Sequence, residues 1–145
     1  MAVALLALLA GLAGGVQVAV MSRFGEKIGI PAALAFSTVV TSVIALGLLL
    51  VTRRSLAGFG DAVRQPPWLW IGGVMGVFIV FTITFAAPRI GSFATIGIMI
   101  AGQLAMGAAI DRWGLFGLEQ IPLTTMRVLG LVLLGAGAVL TLRKV

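Results

Sequence analysis

The chain has 145 residues, of which 61% are apolar and only 10% charged, and its mean hydropathy is +1.21. A soluble domain carries about 25% charged residues, so this composition belongs in a lipid bilayer. The net charge of +6 does not point to nucleic acid, because the basic residues stand at the ends of apolar runs and form no face that could track phosphates.

The first apolar run, residues 2–21, holds no charge and is long enough to cross a hydrocarbon core of about 30 Å as a helix. An Ala-rich run near the start also resembles a secretory signal. It lacks the positive n-region of one, since the first basic residue, Arg23, follows the run. The second span covers 31–51, with Pro31 suited to a first helical turn. Residues 52–67 form a solvated polar connector with Arg53, Arg54, Asp61, Arg64 and the Pro66–Pro67 pair. The third and fourth spans, 68–87 and 92–110, are together too long for one crossing, which takes about 20 residues. Between them, Pro88-Arg89-Ile90-Gly91 supplies a proline to stop the helix and a glycine for the turn. Asp111-Arg112-Trp113-Gly114 ends the fourth span. The fifth, 123–142, is capped by Arg143 and Lys144. Trp68, Trp70 and Trp113 fall near span ends, where indoles favour the membrane interface. The expected fold is therefore an all-α integral membrane protein, one five-helix transmembrane domain over 1–145.

With five spans the loops alternate sides, and the ten Lys and Arg residues divide evenly. One side receives Arg23, Lys27, Arg89, Arg143 and Lys144; the other receives Arg53, Arg54, Arg64, Arg112 and Arg127. Orientation normally follows an excess of Lys and Arg in cytoplasmic loops. Without an excess, copies are expected to insert both ways up, and a chain can then pair with its own inverted copy as an antiparallel ten-helix homodimer. Inverted repeats meeting at the bilayer midplane are a common transporter architecture.

Small residues at i+4 spacing mark packing faces, because packing drives helix association in lipid. Ala7, Gly11, Gly15 and Ala19 form one ladder, and Gly97, Ala101, Ala105 and Ala109 another. Gly72 with Gly76 and Gly130 with Gly137 are shorter versions. These faces can pack within one chain or between two. Gln17 and Gln103 are the most polar groups well inside spans, each on the face opposite its ladder. Met21 lies near Gln17, and Met99, Met106 and Ile110 lie around Gln103; such thioethers are adaptable lining for a binding surface. Ser37 and Thr41 stand one turn apart on the second span. The glutamines either line a substrate pocket or bond neighbouring helices, and the Ser and Thr hydroxyls either join that pocket or bond their own backbone. A stripe of Phe78, Phe81, Thr82 and Phe85 on the third span reads as packing or lipid contact.

What is missing narrows the mechanism. No ionisable residue lies at mid-membrane depth, where proton- or cation-coupled transporters commonly keep one. With no Cys there is no disulfide or thiolate metal site, and with no His or Tyr two further proton carriers and metal ligands are gone. No nucleophile–base or metal constellation suggests an enzyme, and no cofactor is expected.

Trp70-Ile71-Gly72-Gly73-Val74-Met75-Gly76, Ala87-Pro88-Arg89-Ile90-Gly91, Ala101-Gly102-Gln103-Leu104 and Ile110-Asp111-Arg112-Trp113-Gly114-Leu115-Phe116-Gly117 together resemble the YdcZ family of the drug/metabolite transporter superfamily. The likeness extends over the chain in span count and order and is most specific in the third and fourth spans. Ser22 and Thr41 stand where the family pattern would have asparagine and glycine. The resemblance implies a five-helix half-transporter of the bacterial inner membrane, similar in plan to the small multidrug resistance proteins. The deep glutamate of those proteins has no counterpart here. The resulting expectation is an antiparallel homodimeric exporter of a small molecule working by alternating access. Its pocket would be lined by Gln17 and Gln103 from both copies. In such a dimer Arg89 of one copy comes to the side of Asp111 of the other, so the two either form a gate or are interfacial charges facing headgroups. The alternative is a non-transporting structural partner of another membrane protein.

Overall fold

The structure, a computed structural model, describes residues 1–142. Among these there is no strand; the chain runs through α1 (Ala2–Ile28), α2 (Ile30–Arg53), α3 (Ala57–Val63), α4 (Ile71–Ile90), α5 (Ser92–Trp113) and α6 (Thr125–Leu140). Short 3₁₀ turns at Pro67–Trp70 and Leu115–Gly117 precede α4 and follow α5. The helices α1, α2 and α5, and α4 with its leading turn, are each long and apolar enough to cross a membrane. The last, α6, is apolar but has 16 residues, about 24 Å at 1.5 Å per residue. Large apolar side chains face outward all along these helices, among them Leu6, Ile44, Phe78 and Leu133, each more than 60% exposed. In water such surface would far exceed the apolar patches of a soluble monomer; in lipid it is the required exterior.

The helix ends differ from the expected spans in instructive ways. α1 continues past Met21 for seven more residues to Ile28 and carries an Arg23–Glu26 ion pair at 3.0 Å on its polar extension. Pro88 does not end α4, which runs on to Ile90. So near a C-terminus the proline gives up only the hydrogen bond its missing N–H would have made to the Thr84 carbonyl. The break falls instead at Gly91, with φ 87° and ψ 151°, a conformation open to glycine and strained for other residues. Gly29, between α1 and α2, has nearly the same geometry, φ 85° and ψ 149°. Each corner follows a basic residue and an isoleucine, Lys27-Ile28-Gly29 and Arg89-Ile90-Gly91. Each glycine carbonyl accepts the first helical N–H of the next element, from Ala33 at 3.0 Å and from Thr95 at 3.1 Å. The same helix–glycine–helix corner is thus built twice. At the other end of the chain, α6 starts at Thr125 rather than at 123, with Thr124 as its cap. The expected caps Arg143 and Lys144 lie outside the described residues.

The fold divides into two compact units, Ala19–Pro88 on one hand and Met1–Val18 with the residues from Arg89 onward on the other. In the first, Met21, Gly25, Ala33, Ile83, Thr84 and Ala87 are buried. The Phe24 and Phe36 rings meet edge to face at 5.8 Å, and Trp70 donates its indole N–H to the Ala62 carbonyl of α3 at 3.3 Å. In the second unit, Val18, Ala94, Thr95 and Ala138 are buried. There a β-carbon on Gly15 would rest against Ile96 at 3.8 Å, and one on Gly97 would rest against Thr141 at 3.4 Å and the Ala138 backbone at 3.8 Å.

Candidate functional site

Helices α5 and α6 run antiparallel within the second unit. Gly97 lies beside Ala138 and Thr141 at one end of the pair, and Asp111 lies beside Arg127 at the other. Between these two points the helices leave a cleft of about 340 Å³, within the size range of small-molecule sites. Its walls come from Gln103, Leu104, Gly107, Ala108 and Asp111 of α5, from Leu123, and from Arg127, Gly130, Leu131 and Leu134 of α6. Glycines create the space, since a β-carbon at Gly107 or Gly130 would meet nothing within 4 Å.

The mouth is built by a pinned loop. α5 ends at Gly114, whose φ of 60° lets its N–H reach back to the Ile110 carbonyl. The loop then folds onto the end of α5. Ile121 donates its N–H to the Asp111 carbonyl at 2.8 Å, and the Gln120 amide reaches the Trp113 carbonyl at 3.4 Å. Thr124 caps α6, its hydroxyl oxygen accepting the Arg127 N–H at 3.4 Å. The Arg127 guanidinium then lies 3.3 Å from the Asp111 carboxylate, both side chains remaining partly exposed. Each charge stands at the unfavourable end of its helix: Asp111 in the last turn of α5, where the dipole is negative, and Arg127 in the first turn of α6, where it is positive. Exposed pairs are worth only about 0 to 1 kcal/mol, so stability alone gives little reason for placing these charges here.

The structure brings Gln103 and Asp111 to one cleft and adds Arg127, but leaves the other expected site residues outside it. Gln17 is exposed on α1. Met21 is buried and belongs to the other unit. Met99 is half-buried and Met106 exposed, and neither borders the cleft. On α2, Ser37 is half-buried and Thr41 bonds the Ser37 carbonyl at 3.0 Å, the local backbone bond open to any helical threonine. Arg89 sits at the exposed end of α4. Among the packing candidates, Gly15 has a neighbour in ordinary contact, whereas Gly11, Gly72, Gly76, Gly130 and Gly137 face open space in the single chain. Ala101 is half-buried and Ala105 exposed.

Arg127 and the glycine gap were the parts of the site that residue-by-residue reading missed. The signal was present: two opposite charges at the wrong ends of successive helices, joined by a short loop on one side of the membrane. Among the described residues no group of three potential metal ligands comes together.

A sequence profile described as "Putative inner membrane exporter, YdcZ" matches residues 2–140. The inner membrane protein YdcZ of Escherichia coli (strain K12) is 32% identical over 100 residues, covering 66% of this chain and 64% of that protein. The chain thus matches less than two thirds of that relative's length. No solved structure matches it. The family is described as exporters rather than as enzymes, and the apolar helices together with the relative's membrane assignment make this a multi-pass protein of the inner membrane. The profile accounts for nearly all of the chain, which belongs to the YdcZ family.

Proposed function

We propose that this chain is one half of an antiparallel homodimer that exports a small molecule by alternating access. The observation that carries the reading is the cleft between α5 and α6, which runs from a charged mouth to Gln103 at the middle of a membrane-spanning helix. Folding gives no reason for an open apolar cleft with polar groups at its two ends, and midplane sites between helices are where transporters bind their cargo. The family's description as exporters supports the direction. Pairing with an inverted copy is supported by the even division of Lys and Arg between the two sides and by an odd number of spans, which puts the two ends of the five-span unit on opposite sides. The glycine faces that meet nothing in the single chain leave surface for such a partner.

The absence of native cysteine makes the orientation directly measurable. A single Cys at Ser55, in the turn between α2 and α3, should be labelled by impermeant reagents from both faces of the membrane in roughly equal amounts. One uniform orientation removes the basis of the antiparallel homodimer. Vesicles containing the protein should in addition show cargo-dependent flux. A dual orientation with no flux for a broad metabolite panel would favour the structural-partner alternative.

A further inference from the structure

We propose that the α5–α6 cleft recognises a small zwitterion bearing one apolar substituent. Its anionic group would sit on Arg127, its ammonium group on Asp111, and its substituent against Leu104, Leu131 and Leu134. This deepens the proposed export function, on which its biological role rests, by naming the chemical class of the cargo.

Asp111 and Arg127 meet through one contact of 3.3 Å and both remain partly exposed, so the pair is open to exchange. They face a cleft that holds one cation and one anion and is otherwise apolar apart from Gln103. A purely anionic guest would take Arg127 and strand Asp111 at the negative end of α5. A purely cationic guest would take Asp111 and strand Arg127 at the positive end of α6. A neutral guest would leave the pair as it is and gain nothing from it. A zwitterion replaces one internal ion pair with two, each complementing a charge that its own helix disfavours. Zwitterions therefore have an advantage that no singly charged molecule shares.

The walls set the remainder of the molecule. Below the mouth, Gly107 and Gly130 leave the gap into which a substituent can enter, and the leucines make it apolar. Gln103 lies eight residues along α5 from Asp111, about 12 Å, and closes the far end with a polar group. A cleft of about 340 Å³ suits a molecule the size of an apolar amino acid. The same head-group chemistry occurs in a phosphatidylethanolamine headgroup, and the experiment separates the two sources.

The full-length protein in phosphatidylglycerol nanodiscs, which contain no zwitterionic lipid, is titrated calorimetrically with L-leucine, L-methionine and L-phenylalanine. Saturable binding of at least one is expected. The N-acetyl and methyl-ester derivatives of that amino acid, each lacking one charge, should bind at least about tenfold more weakly. Asp111→Asn and Arg127→Gln should each weaken binding by a similar factor. Gly130→Leu, placed where a side chain meets no neighbour, should abolish binding without lowering the unfolding temperature. If phosphatidylethanolamine raises the unfolding temperature through both Asp111 and Arg127 while no amino acid binds, the zwitterion is the lipid headgroup. The proposal is overturned if neither source is recognised, if the singly charged derivatives bind as well as their parent, or if Gly130→Leu binds normally. The analogue series uses unaltered protein, so it decides even where a charge variant fails to fold. A failure here leaves the orientation labelling of the export reading untouched, and a uniform orientation leaves the binding result standing.

Discussion

Gly25 of α1 lies against the Thr84 side chain of α4, so close that a β-carbon at position 25 would overlap the threonine methyl. Both residues are buried, and Thr84, 1% exposed, is held in place by its hydroxyl bond to the Val80 carbonyl at 2.8 Å. A β-branched side chain anchored in this way cannot swing aside. Gly25→Ala should therefore destabilise the protein by about 1 to 3 kcal/mol, the usual cost of overpacking. Thr84→Ser removes the methyl and keeps the hydroxyl bond, so adding it should recover most of that loss. Unfolding temperatures in detergent for the two single changes and the double change provide the check. Wild-type stability in Gly25→Ala alone would show that the helices do not meet closely here.

Neither residue stood out in the sequence, for a physical reason. A single glycine on a long helix reads as tolerated, and a helical threonine reads as bonded to its own backbone; only their juxtaposition makes the contact. Apolar runs and charged ends, by contrast, are read locally, because crossing a bilayer constrains each segment by itself. Gly91 was legible as a break, since its positive φ favours glycine. Pro88 misled because a proline's effect depends on how many turns of helix remain beyond it. In the site, Gln103 and Asp111 were visible as polar residues in or beside an apolar span. The partnership of Asp111 with Arg127 was not, because it depends on how the loop 114–124 folds back on α5.

The small-residue faces should act between chains where they are empty within one. Gly11 meets nothing in the single chain, so Gly11→Leu should leave the folded monomer intact and weaken self-association in detergent. Ala101 is half-buried, and Ala101→Leu should lower both association and stability. Val132→Leu, at a position 60% exposed on α6, should change neither. Sedimentation of the three variants beside thermal unfolding separates the effects. Equal tolerance at all three positions would make the ladders incidental.

Gln103 borders the cleft and Gln17 does not, and their replacements should differ accordingly. A carboxamide in an apolar setting is costly unless bonded. Gln103→Leu should therefore leave stability equal or higher while reducing transport at least tenfold. Gln17→Leu should reduce transport only if a second copy brings that residue to the same path. Flux in vesicles, read together with unfolding temperature, distinguishes the cases. Loss of folding in Gln103→Leu with no transport defect in the surviving protein would assign Gln103 to helix bonding instead.

A gate between copies would make Asp111 change partners. Within one chain it is held by Arg127 at 3.3 Å. Arg89 and Asp111 stand at the two ends of the span formed by α5, so in an antiparallel dimer Arg89 of one copy comes to the side occupied by Asp111 of the other. The internal pair and the trans pair then compete for one carboxylate, and alternation between them would open one mouth while closing the other. Arg89→Asp and Asp111→Arg should each impair transport, and combining them should restore part of it. Rescue should be incomplete because Arg127 would then face a second arginine. Arg127→Gln should instead favour the trans pair and slow the cycle, with cargo flux falling while the dimer becomes more resistant to dissociation. Charge exchange that restores no transport, in protein shown to be assembled and inserted in both orientations, would reduce Arg89 to an interfacial charge.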